Sequence, residues 1–88
     1  MRELALSSAP NPARARTDLR FALPTAGSVT LVVFDPAGRR VATVLDRQWL
    51  AAGPHSAALG TGSLKTGLYF ARLEFGSQRT TRKFTVIR

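Results

Sequence analysis

Eighty-eight residues with 13 Lys and Arg against 5 Asp and Glu make one small, basic domain of formal charge +8. A chain of this length buries roughly 60–68% of its unfolded surface, enough for one two-layer core and too little for a deep enzyme pocket. With no cysteine, one histidine and no apolar run near ~18 residues, it has no disulfide, no ligand set for structural zinc and no transmembrane helix.

The opening residues (MRELALSSAP) contain one Arg and too few apolar side chains for a signal peptide. That leaves a cytosolic protein, or a piece of an exported one whose signal lies elsewhere. Residues 4–6 suggest a short edge strand. Residues 7–17 (SSAPNPARART) read as loop, because Asn-Pro favours turn initiation. A helix from Pro12 capped by Asn11 is disfavoured: Arg14 and Arg16 alternate with alanines and form no apolar stripe.

Residues 18–23 (DLRFAL) alternate, with Leu19, Phe21 and Leu23 on one face, and Pro24 ends the run ahead of a turn through Gly27. Residues 28–35 (SVTLVVFD) carry the strongest strand signal, apolar on both faces as an inner strand should be. Asp35-Pro36-Ala37-Gly38 then makes a turn. Asp suits its first position, Pro presets φ at the second, and Gly38 closes a three-residue hairpin loop with a bulge. Residues 39–46 return antiparallel. Val41 and Leu45 share a face there, and Val44 breaks the alternation, which predicts another bulge.

Trp49, the one tryptophan, is expected to cover an edge of the core beside Leu50; the other reading is a surface anchor for a ligand. Gly53-Pro54 stops that segment, residues 54–59 make a short strand, and residues 60–63 a Gly-rich loop. In residues 64–75 (LKTGLYFARLEF), Tyr69, Ala71, Leu73 and Phe75 fall on one face and Leu68, Phe70, Arg72 and Glu74 on the other, after a turn at Gly67. The last strand brings Phe84 and Val86 to one face. It forms with the preceding strand a hairpin read as the central pair of a small sandwich. Six or seven strands at roughly 8–12-residue spacing predict an all-β, antiparallel sandwich spanning the whole chain.

Candidate chemistry is sparse. Asp18, Asp35 and Asp46 are not spaced as a calcium loop. No Gly-x-Ser-x-Gly elbow occurs, and His55, in a turn, has no evident orienting partner. Gly62 and Gly67 have the spacing of a phosphate loop, but Leu68-Tyr69 stands where Lys-Ser/Thr is required. These patterns predict no enzyme and no cofactor. The positive charge is spread along the chain rather than concentrated in a basic run, which reads as a solvated surface. Tyr69, Phe70 and Arg72 suggest a stacking platform for single-stranded nucleic acid. Yet Tyr69 and Phe70 point to opposite faces and no second aromatic cluster accompanies them, so no specific nucleic acid is expected.

The order of motifs is Asn11-Pro12, Phe21-Ala22-Leu23-Pro24, Val29-x-Leu31-x-Val33-Phe34-Asp35, Gly38-Arg39-x-Val41, Ala52-Gly53-x-His55, Leu64-x-x-Gly67-x-Tyr69 and Arg82-Lys83-Phe84. This order resembles the immunoglobulin-like C-terminal modules of secreted bacterial proteins. These are the type A sorting domains of the type IX (Por) secretion system and the related domain of the flagellar hook-capping protein. The resemblance spans about positions 4–88. It departs at Ala13-Arg14, where the family often has Phe-Asn, and at Leu59, where a tryptophan is common; Trp49 stands nearby as a compensating candidate.

The resemblance implies a non-catalytic module at the end of a larger exported protein. Its partners would be secretion translocon proteins and an upstream cargo domain. Its place would be the cell surface or the extracellular space, reached through the periplasm without insertion into a membrane. The alternative is an accessory structural domain of an extracellular enzyme or adhesin, with a polysaccharide as its ligand. Asn11, Pro12, Asp35, Gly38, Gly53, Gly67 and Tyr69 are then structural motif residues. Tyr69 is either a plain core aromatic or one whose hydroxyl bonds a nearby carbonyl, as in the tyrosine corner of immunoglobulin-like folds. Arg82, Lys83 and Arg88, expected to be exposed, are the candidate recognition residues.

Overall fold

Alternating burial along seven segments sets the architecture. A computed structural model describes residues 5–87, and the regular elements among them are all strands. They are β1 (Ala5–Ala9), β2 (Arg16–Leu23), β3 (Gly27–Phe34), β4 (Arg40–Leu50), β5 (Gly53–Gly60), β6 (Gly67–Phe75) and β7 (Gln78–Val86). They form two antiparallel sheets, β1-β2-β5 and β4-β3-β6-β7, the sandwich that the turn spacing predicts and of the immunoglobulin-like kind that the resemblance implies. Leu19, Phe21 and Leu23 from one sheet meet Val29, Leu31, Val33, Ala71, Leu73, Phe84 and Val86 from the other in one buried cluster.

The centre of the larger sheet is β3 beside β6, and β7 is an edge strand. The β6–β7 hairpin is therefore not the central pair. The doubly apolar β3 lies inside the sheet instead, between β4 and β6, with its inward side chains fully buried. Residues 7–17 are also more ordered than loop chemistry suggests. Ser7, Ser8 and Ala9 pair with Arg20, Leu19 and Asp18, and Arg16 and Thr17 already belong to β2. Thr17 tolerates full burial because its hydroxyl donates to the Pro10 carbonyl at 3.0 Å. No helix follows Pro12; Ala13 instead makes a parallel bridge to Val86. Leu4 lies outside the described residues.

The expected bulge at Val44 is present: Leu31 pairs with Leu45 and Val32 with Thr43, leaving Val44 unpaired. Two further irregularities flank it. Val33 pairs with Ala42 but Phe34 with Arg40, so Val41 is the extra residue and is 37% exposed instead of sharing the face of Leu45. The strand then runs on to Leu50, and Trp49, opposite the exposed Ser28, is 71% exposed. Trp49 therefore neither covers the core edge nor compensates for Leu59, which is itself buried. Leu50 and Phe75 cover that edge, packed against the core. A Cβ added at Gly27 would lie 2.6 Å from the Phe75 ring, so this glycine makes room for an aromatic rather than a turn.

Candidate functional site

The basic residues of the closing strand do not form one cluster. In the β6–β7 register Phe84 faces Tyr69, Arg82 faces Ala71 and Lys83 faces Phe70. Residues directly opposite share a face of the sheet. Arg82 therefore projects on the core side, at the open edge between the sheets, and Lys83 on the outer side. The Nε of Arg82 donates to the Leu6 carbonyl at 3.0 Å and ties β7 to β1. Both side chains are exposed, as expected, but Arg82 also holds the two sheets together. Arg88 lies outside the described residues.

Asn11 and Pro12 belong to a strap laid along β7. The Asn11 side-chain oxygen accepts from the Thr85 amide at 3.0 Å. The Ala13 amide donates to the Thr85 carbonyl, and the Ile87 amide donates to the Ala13 carbonyl, each at 2.8 Å. An edge strand needs partners for its outward amides, and the strap supplies them from Thr85 onward. Pro12 sits between the two bonding residues, at a position where no amide donor has to be satisfied. Thr61 holds the other side of the strap: its amide donates to the Ala15 carbonyl at 3.0 Å, and its hydroxyl to the Arg14 carbonyl at 3.1 Å. Sequence reasoning missed Thr17 and Thr61, both fully buried. Thr17 serves a carbonyl 7 residues back and Thr61 one 47 residues back, and neither pairing carries a local signature in the sequence.

At the opposite edge, the Asp35 carboxylate accepts from the amides of Ala37 and Arg39, at 3.0 and 2.9 Å, and from the Arg39 guanidinium at 3.1 Å. The Arg39 amide bond, most of all, holds its carboxyl below the ordinary value of 3.8. Gly38 takes φ +87°, and its amide donates to the Asp35 carbonyl at 3.0 Å, so the three-residue loop closes as expected. Tyr69 is both a core aromatic and a hydrogen-bond donor. Its ring stacks on Phe84 with centroids 6.0 Å apart, and its hydroxyl donates to the Lys65 carbonyl at 2.8 Å, four residues upstream. Gly53 and Gly67 open β5 and β6.

His55 stacks on Phe21, with centroids 5.5 Å apart, and its Nε2 lies 2.7 Å from the Ala51 carbonyl. Its ring is thus oriented by a backbone group and not by a carboxylate. Beside it runs an open groove of about 630 Å³ lined by Leu6, Arg20, Phe21, Pro54, His55 and Arg82. Among the described residues no three His, Cys, Asp or Glu side chains come close enough to hold a metal ion, and no helix is long and apolar enough to cross a membrane.

Against known families, the chain matches the one described as the secretion system C-terminal sorting domain, over residues 9–87. No curated protein matches it.

Proposed function

This chain belongs to the family of secretion system C-terminal sorting domains, and we propose that it works as a non-catalytic address read by the type IX machinery. The match over residues 9–87 is the observation that carries this reading. In it the chain is one module at the end of an exported protein. Its partners are the translocon and the upstream cargo, and its route crosses the periplasm to the cell surface or the medium. The part read is β7. The strap covers this edge strand only from Thr85 on, and among the described residues no strand pairs with its outer edge before that point. Arg79, Arg82 and Lys83 mark the open part with positive charge, which guards it against indiscriminate pairing and leaves it available to an acidic partner. Nothing observed favours the accessory, polysaccharide-binding role over this one.

The test is export of a reporter fused ahead of the chain in a host with the type IX machinery. The variants are wild type, Arg82→Gln/Lys83→Gln/Arg88→Gln, and a reporter without the module. Arg82→Gln removes the bond to Leu6, so folding of the triple variant is checked by thermal melting. Deleting β7 is avoided because it would strip Phe84 and Val86 from the core. The expected result is export of the wild type and cellular retention of a folded triple variant. Equal export of all three ends the sorting reading. Equal export of wild type and triple variant alone ends only the role given to these three cations.

A further inference from the structure

The outer face of the four-stranded sheet carries a pattern of which the sorting reading uses only the β7 end, at Lys83. By register Arg40 on β4 faces Phe34 on β3, Phe34 faces Phe70 on β6, and Phe70 faces Lys83 on β7. The result is a row of cation, aromatic, aromatic, cation straight across the sheet. Next to it the Arg72 guanidinium lies over the Phe34 ring, 4.5 Å from its centroid. Leu68, beside Phe70 along the strand direction, is 39% exposed, and a hollow lined by Phe70, Thr81, Arg82 and Lys83 opens at the β7 edge. Glu74 and Arg79, also on this face, are directly opposite each other, and the exposed ion pair of Asp46 and Arg47 lies in the β4 bulge opposite Thr30. Glu74 is already engaged, its carboxylate 3.1 Å from the Arg72 Nε. Arg40 and Lys83 have no ion-pair partner among the described residues.

We infer that this face docks an extended polypeptide segment that carries carboxylates on either side of an apolar side chain. Two aromatics offer apolar contact at the centre, and two unpaired cations flank them. A neutral apolar partner would leave those cations uncompensated under the contact. Nucleic acid fits less well, because base stacking needs open rings and Arg72 already covers Phe34. The spacing favours a strand-like segment. Arg40 and Lys83 are three strand spacings apart, roughly 14 Å, the reach of about four residues of extended chain. Positions 1, 3 and 5 of such a segment point the same way, so carboxylates at 1 and 5 with an apolar residue at 3 match the row. This inference shares Lys83 with the sorting reading but does not rest on it, since its test reads binding by the isolated chain and not export.

The probe is the peptide acetyl-Glu-Ser-Leu-Ser-Glu-amide, titrated into the 88-residue chain and followed by amide chemical shifts. The controls are its Gln analogue and an oligo-dT strand of matched length. Expected are shifts confined to the surroundings of Phe34, Leu68, Phe70 and Lys83, and affinity roughly tenfold lower for the Gln peptide. Phe70→Ser and Lys83→Glu should each weaken binding roughly tenfold, while Arg16→Glu, on the other sheet, stays within about twofold. Should Phe70→Ser unfold the chain, the exposed Lys83→Glu decides alone. Shifts scattered over the surface, equal binding of the Glu and Gln peptides, or tighter binding of oligo-dT to this face would each overturn the inference.

Discussion

At Gly38 the backbone sits at φ +87°, yet a Cβ built there meets nothing within 4 Å. The cost of a side chain at this position is thus conformational and not steric crowding. Gly38→Val should lose about 1–2 kcal/mol, because a β-branched residue resists the left-handed region. Arg47, at φ +49° in the bulged part of β4, already bears that kind of strain. Arg47→Gly relieves it while loosening the unfolded chain, so its stability should change by no more than about 0.5 kcal/mol. Urea melts of both variants check the contrast, and equal losses would refute it. Asp35 adds a pH dependence. Its folded carboxyl titrates below its ordinary value. Its stabilising contribution is therefore complete above about pH 4 and lost as pH falls through the lowered folded value. Asp35→Asn should melt lower than wild type at neutral pH and show a shallower fall in melting temperature between pH 4 and pH 2. Parallel acid limbs for the two proteins would assign the effect to another carboxylate.

Elements were legible in the sequence wherever burial follows strict alternation. Leu19-Phe21-Leu23, Val29-Leu31-Val33 and Phe84-Val86 are buried where period two puts them. The Asp35 loop was legible because its chemistry is local. Strand β4 was legible only in part. Each bulge shifts the phase by one residue, so the alternation of Val41 with Leu45 and the burial of Trp49 both fail, although Val44 correctly flagged one bulge. Packing between elements left less trace. Gly27 reads as a turn glycine, but its neighbour is the Phe75 ring, brought by a strand 48 positions on. Gly27→Ala forces that ring to move and should cost about 1–3 kcal/mol. Phe75→Leu vacates the contact, so the double variant should be more stable than the sum of the two single losses allows. Additive losses in that cycle would mean the ring is not what the glycine accommodates.

Across the molecule, the seven strands among the described residues must close, without a disulfide, a sandwich in which β7 lies on an edge. Closure comes from the chain's early residues. Arg82 reaches Leu6, and the strap of residues 11–13 lies along residues 85–87, so contacts more than 70 positions apart in sequence seal one seam. Each bond between ordinary groups contributes about 1 kcal/mol net, in a domain whose total stability is expected to be roughly 4–13 kcal/mol. The seam's four bonds are thus a sizeable share of that total. The Asn11 side chain satisfies the Thr85 amide, while the Ile87 amide depends on the main chain of Ala13. Asn11→Ala should therefore cost about 1 kcal/mol and speed hydrogen exchange at Thr85 at once. Ile87 should follow only if the strap lifts as a unit. Exchange measured residue by residue separates the cases. Acceleration at both amides, with those of β3 and β6 unchanged, is the expected outcome and makes the strap and the end of β7 one opening unit. Unchanged exchange at Thr85 would mean that Asn11 does not hold the closing strand, and the Asn-Pro pair would lose its structural explanation.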